Sequence, residues 1–137
     1  MNVIPGIISF VQEDELFARV DIENNGVYYS ACILNSSYDT TYSKPGIPVN
    51  MVFKETDTLI SLPVKNTISC RNQFHSSIVT IVYGTVMTRI AAVYKGFSII
   101  SLVTSESARL LNLSIGLPII CIVKSTSMML SKRKPGS

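Results

Sequence analysis

A mainly β chain of two small five-stranded barrels in tandem, each carrying one short helix, is the architecture this sequence predicts. Three observations carry the expectation. The chain repeats itself at a fixed offset of 70 positions, so that Asn2 to Ser61 align with Asn72 to Ser131 without a gap. Each copy consists of short runs rich in Ile, Val and aromatic residues, broken by turn residues. The composition is 47% hydrophobic with a mean hydropathy of +0.35, enough for a core and too apolar for a disordered chain.

The repeat sets the frame for the rest. Identical pairs include Ile8 with Ile78, Arg19 with Arg89, Gly26 with Gly96 and Ser37 with Ser107. Further along come Gly46 with Gly116, Pro48 with Pro118, Lys54 with Lys124 and Thr56 with Thr126. Apolar character is kept at Val20/Ile90, Val49/Ile119, Val52/Ile122 and Leu59/Met129. A shared Gly-x-Pro and Lys-x-Thr at one common offset is more than chance supplies.

In the second copy, Ser77-Val82, Val86-Ala92 and Phe97-Val103 read as strands, separated by Tyr83-Gly84 and Lys95-Gly96. Thr104 then reads as an N-cap, with Glu106 in the first helical turn and Leu110, Leu111 and Leu113 as apolar contacts. Ile115-Gly116-Leu117-Pro118 turns the chain into two returning strands, Ile119-Lys124 and Met128-Leu130. The first copy follows with Ile7-Gln12, Leu16-Ile22, Val27-Ile33, Val49-Glu55 and Thr58-Ile60, and a weaker helix signal at Asn35-Asp39. Five strands with a short helix inserted late match a small OB-like barrel. The division expected is 1–62 for the first barrel, 63–68 for a linker, 69–131 for the second barrel and 132–137 for a basic tail. Units of this size bury little surface alone, so the two barrels are expected to pack as neighbours.

Composition excludes several functions. No apolar run approaches the length of a bilayer span, and Met1-Asn2-Val3-Ile4-Pro5-Gly6 lacks the features of a secretory leader, so the chain reads as cytoplasmic. Cys32, Cys70 and Cys121 are odd in number and lack CxxC spacing, which fits reduced thiols; with His75 alone they form no cation site. The net charge is +3, yet Lys132, Arg133 and Lys134 account for all of it. A neutral body carries no basic stripe for nucleic acid. Catalysis has no motif-arranged His/Cys or Ser/His/Asp set and no phosphate-binding Gly-rich loop; Glu13-Asp14-Glu15 reads as an exposed turn. The chain is therefore expected not to be an enzyme.

Ser69-Cys70-Arg71-Asn72-Gln73-Phe74 resembles the Ser-Ala-Arg-Asn-Gln opening of the molybdate-binding (Mop, or TOBE) domains, the building unit of the molbindins. Val103-Thr104-Ser105-Glu106-Ser107 resembles the helix entry of that family, and the segment from Ile122 to Leu130 its Val-Ile-Lys-Ala-Ser-x-Val-Met-Leu ending. The first copy is more distant; its Pro5-Gly6-Ile7-Ile8-Ser9 is similar to the second such domain of the molybdate-responsive transcription regulator. The resemblance implies barrels that assemble through their faces, trimer before dimer, and hold molybdate or tungstate at interfaces, with no organic cofactor. Carried over by position, the oxyanion ligands would be Ser69, Arg71, Thr104, Ser107, Lys124 and Ser125. The first copy departs from the pattern, with Leu34 where the second has Thr104 and Glu55 where it has Ser125.

Elementary chemistry points the same way. A tetrahedral dianion only accepts hydrogen bonds, so its pocket needs hydroxyls, N–H groups and a cation or two. Residues 2–61 hold 3 basic and 8 acidic residues, whereas 72–131 hold 4 basic and 1 acidic, so an anion is expected to prefer the second copy. Plainer roles compete: Thr104 and Ser107 as helix caps, Arg71 as an interface ion pair, Asn72 and its repeat Asn2 as turn residues. The function expected is intracellular molybdate or tungstate storage or homeostasis. Alternatives are a molybdate-sensing regulatory domain acting through a partner chain and an OB-type nucleic-acid binder.

Overall fold

The computed structural model describes residues 1–64 and 67–133. Strands β1 (Asn2–Glu13), β2 (Phe17–Asn24) and β3 (Val27–Leu34) form a meander, and β4 (Pro48–Phe53) returns alongside β1. The second copy repeats this with β6 (Asn72–Tyr83), β7 (Met87–Tyr94), β8 (Phe97–Thr104) and β9 (Pro118–Val123). Both β2–β3 and β7–β8 hairpins turn through two left-handed residues, Asn25-Gly26 and Lys95-Gly96. Such a pair matches the right-handed strand twist, and a glycine takes its second position without strain. The long first strand of each copy bends at a bulge, between Ile8 and Phe10 and again between Ile78 and Thr80.

The fifth strands depart from the sequence reading. β5 (Leu59–Ser61) pairs with β9 of the second copy, and β10 (Met129–Lys132) pairs with β4 of the first. The two sheets therefore run β10-β4-β1-β2-β3 and β5-β9-β6-β7-β8, each completed by a strand from the other copy. The local chemistry explains the crossing. The tightest return onto β4 would use a two-residue turn of Asn-Gly type. Lys54-Glu55-Thr56-Asp57-Thr58 contains none and instead forms a 3-10 turn over Glu55–Asp57 that carries the chain onward; Ser125–Ser127 does the same after β9.

One hydrophobic core spans both copies, joining Ile4, Ile22 and Met51 of the first to Phe74, Ile90 and Ile119 of the second. Phe74 on β6 stacks on Tyr29 at 4.3 Å and on Phe53 at 5.3 Å between ring centroids and meets Tyr94 of its own copy edge-on at 5.1 Å, so its ring packs between the two copies. Behind it the Tyr29 hydroxyl meets the Tyr94 hydroxyl at 2.6 Å, Tyr94 donates to Asn24 Oδ1, and Asn24 donates to the Pro5 carbonyl. Burial holds the Tyr29 phenol far above its ordinary range, and the Tyr94 hydrogen bond adds to this, so the Tyr29 hydroxyl stays neutral.

The helices of the two copies differ. Thr104 caps α1 (Ser105–Leu110) by accepting the Ser107 N–H. At the equivalent point Leu34 has no side chain to offer, and the first copy forms only 3-10 turns at Asn35–Ser37 and Thr40–Tyr42, the latter capped by Asp39. The C-terminal basic run also differs from a solvated tail. Lys132 belongs to β10, and Arg133 donates to the Val49 and Gly6 carbonyls of the first copy. Lys134 lies outside the described residues, as do Lys65 and Asn66 of the linker. Among the described residues no helix is long and apolar enough to cross a membrane.

Candidate functional site

The strand exchange creates two junctions between the copies, and each is built around an asparagine at the start of a long strand. At the first, Asn72 reaches the edge strand β3: its Oδ1 accepts from Ser30 N at 2.7 Å and its Nδ2 donates to Ser30 O at 2.8 Å. At the second, Asn2 makes the same pair of bonds to Ile100 on β8, both 2.8 Å. An edge strand leaves its outer N–H and C=O groups unpaired, and each asparagine supplies what a further strand would. These residues are clamps between the copies, not the turn residues that their sequence context suggested.

The first junction carries the polar chemistry. The Ser125 and Ser30 hydroxyls lie 2.6 Å apart, each able to donate. Directly across the β2–β3 ladder from Ser30 stands Asp21, 5% exposed. Arg71 Nη1 lies 3.3 Å from Asp21 Oδ2, and Arg19 approaches the same carboxylate with Nε 3.2 Å from Oδ1 and Nη2 3.4 Å from Oδ2. Arg19 in turn lies over the Phe10 ring at 5.4 Å. Two guanidiniums, one carboxylate and two hydroxyls therefore meet where β3 of one copy faces the opening of β6 and the 125–127 turn of the other. The local balance is one positive charge.

The six residues expected to bind an oxyanion are divided by the fold. Arg71 and Ser125 come together at the first junction, flanked by Ser69 and Lys124, both exposed. Lys124 opens the 3-10 turn and, among the described residues, forms no ion pair. Thr104 and Ser107 stand elsewhere: Thr104 ends β8, the strand that packs beside the Glu55–Asp57 turn at the second junction, and Ser107 lies in α1. Their hydroxyls bond to each other at 2.8 Å, and Thr104 Oγ1 accepts Ser107 N at 3.2 Å, which is the helix cap. The fold also moves the site off the second copy alone: Arg71 and Ser125 face Asp21 and Ser30 of the acidic first copy.

The counterpart positions at the second junction are Ala91 for Asp21, Ile100 for Ser30 and Glu55 for Ser125. Those three counterparts offer a dianion no hydroxyl, and Glu55 adds a negative charge. The residues missed from sequence are thus Asp21, Ser30, Arg19 and Asn72. Asp21 and Ser30 were findable as the places where the repeat swaps an apolar residue for a polar one within a strand. A groove of about 540 Å³ lies along Phe17, Leu34, Asp39, Tyr42, Met128 and Met129. Its lining is mostly apolar and includes a carboxylate but no Lys or Arg, which suits no oxyanion. Asp39 there stays ionised below the usual carboxylate range because the Thr41 N–H bonds to it.

No protein-family model and no curated protein match the sequence. Among solved structures, the chain is similar to the cytoplasmic molybdate-binding protein ModG in a crystal form with molybdate bound. The two are 26% identical, with 96% of each chain covered and a TM-score of 0.89. The chain belongs to the molbindin family. A second structure, a molybdate-binding protein from Sporomusa ovata, is 36% identical over 49% of this chain and 100% of its own, with a TM-score of 0.48. The match to ModG covers both copies in one superposition, so the tandem, OB-like arrangement of this molbindin-family chain is shared as a whole rather than barrel by barrel.

Proposed function

We propose that this molbindin-family chain is a cytoplasmic, non-enzymatic binder of molybdate or tungstate that serves storage or homeostasis. One observation carries the reading: the end-to-end likeness, at 26% identity, to a protein described with molybdate bound. The first junction is compatible with it chemically, because Arg71, Ser125, Ser30 and Lys124 supply the donors that an acceptor-only dianion needs. Thr104 and Ser107 would serve a second type of site, completed by another subunit. We further propose that the chain assembles as a trimer, with a dimer the next choice. Exposed Leu16, Val82, Val86, Leu110 and Ile115 leave apolar surface for such contacts.

Calorimetric titration with molybdate, with sulfate as the control, tests the function. Saturable binding of molybdate with much weaker sulfate binding is the expected result. Equal binding of both, or of neither, rejects it. Native mass measurement tests the assembly, and only 15.0 kDa species at micromolar concentration would refute it.

A further inference from the structure

Among the described residues Asp21 is the only buried acidic side chain. Burying a carboxylate is costly unless cations accompany it. The strand itself does not require one, because the second copy folds with Ala91 at the equivalent position. Asp21 is held by two guanidiniums in unequal ways. Arg19 approaches both carboxylate oxygens from the same strand, with its own position fixed against Phe10. Arg71 offers a single contact at 3.3 Å and has a side chain 48% exposed. If Arg71 leaves, Asp21 keeps Arg19; if Arg19 stays, Arg71 is free to turn outward.

From this we infer that Asp21 is an internal counter-anion that competes with the bound oxyanion for Arg71 and thereby sets the affinity of the first junction. The inference rests on the reading of Arg71 as an oxyanion donor. An incoming dianion meets a guanidinium that already has a carboxylate partner and a fixed negative charge beside it. Both effects oppose binding, and both disappear when the charge of Asp21 is removed. The neighbouring hydroxyls follow the same logic: Ser30 and Ser125 satisfy each other at 2.6 Å until an acceptor draws one away.

The test is molybdate titration of the wild type, Asp21→Asn, Asp21→Ala, Arg71→Gln and the Asp21→Asn/Arg71→Gln pair. The asparagine is isosteric and still accepts from Arg19, and the alanine copies the second copy. Both single changes at Asp21 should tighten binding by at least about fivefold, the scale of one charge removed beside a dianion in a partly solvated site. Arg71→Gln should weaken binding, and in that background the gain from Asp21→Asn should shrink clearly below its value in the wild type, because the competition acts through Arg71 and only the direct repulsion remains. Unchanged or weaker binding by a folded Asp21 variant overturns the inference while leaving molybdate binding intact. An undiminished gain in the Arg71→Gln background also overturns it. No binding by the wild type overturns the functional reading and the inference with it. The wild type alone gives a second measurement: the Asp21 carboxyl 13C resonance should move as molybdate saturates the protein, and a stationary signal refutes the competition.

Discussion

The Asn72 side-chain amide grips both backbone groups of Ser30, accepting from its N–H at 2.7 Å and donating to its carbonyl at 2.8 Å. The two residues are 42 positions apart and belong to different copies, so this one amide joins the start of β6 to the edge of β3. Replacing Asn72 with Ala leaves a buried N–H and a buried C=O without partners. We expect a loss of about 2–4 kcal/mol, since each such orphan costs about 1–3 kcal/mol. Asn72→Asp, which sets a buried carboxylate oxygen against the Ser30 carbonyl, should cost at least as much as Asn72→Ala at neutral pH. Urea unfolding of the three proteins measures this, and a loss under about 0.5 kcal/mol for Asn72→Ala would remove the clamp from the account.

Lys124 and Lys54 occupy equivalent places, each opening a 3-10 turn, but their neighbours differ. Lys124 precedes Ser125 beside Arg71, whereas Lys54 precedes Glu55, whose carboxylate repels a dianion. Losing one charge-assisted hydrogen bond should cost about 1.5–3 kcal/mol of binding. Lys124→Met is therefore expected to weaken molybdate binding by at least about tenfold, and Lys54→Met by less than about threefold. Titration of both variants decides it; equal losses would place a lysine-dependent site at each junction.

Much of this molecule was legible from its residues. Strand-like runs, the Tyr83-Gly84 and Lys95-Gly96 turns and the offset of 70 yielded the five strands of each copy. They could not reveal that β5 and β10 change places, because both pairings bury the same alternating residues and leave the repeat unaltered. Thr104 as an N-cap was readable because the hydroxyl acts on its own helix. The roles of Asn72, Asp21 and Ser30 were not, because each acts across the junction on a residue distant in sequence; the repeat marked Asp21 and Ser30 only as polar residues in place of apolar ones. The split of the six expected ligands has the same cause: position along the chain carried Thr104 and Lys124 together, and the exchanged strands set them apart.

Gly6 crosses the first copy where no side chain fits. A Cβ there would collide with the Ile22 side chain and lie 2.9 Å from the Glu23 carbonyl oxygen. Gly6→Ala should destabilise the chain by about 1–3 kcal/mol through overpacking. Thermal unfolding checks it, and an unchanged midpoint would mean that β1 shifts freely at this point.

Cys121 lies in the shared core, and burial pushes its thiol up to about 11, partly opposed by a hydrogen bond with Ser76. At pH 8 its thiolate fraction is about 0.1%. Raised in this direction, the thiol stays protonated throughout the neutral range and is released only as the pH climbs towards 11. Iodoacetamide at pH 8 should therefore leave Cys121 unmodified in the native protein and label it after denaturation. Peptide mass analysis gives the answer, and prompt native labelling would contradict its burial.

Molybdate and tungstate should raise the melting temperature as their concentrations pass the dissociation constant, because a ligand of the folded state stabilises it by mass action. Sulfate at equal concentration should do much less. Equal shifts from all three would mark a generic anion effect rather than a shaped site.

The exchange of β5 and β10 has a consequence for how the protein is made. β4 receives its outer neighbour only when residues 129–132 are available, and Tyr29 and Phe53 of the first copy also await Phe74 as their stacking partner. A ribosome that has translated only the first copy has therefore made a sheet with an open edge and two uncovered aromatic rings. Residues near position 130 must clear the exit tunnel before that sheet can close, so the first-synthesised half finishes folding only with the second. During that interval the nascent β4 edge is open to strands of other nascent chains. Synthesis rate and chaperone cover thus bear on this chain more heavily than on two barrels that close on themselves.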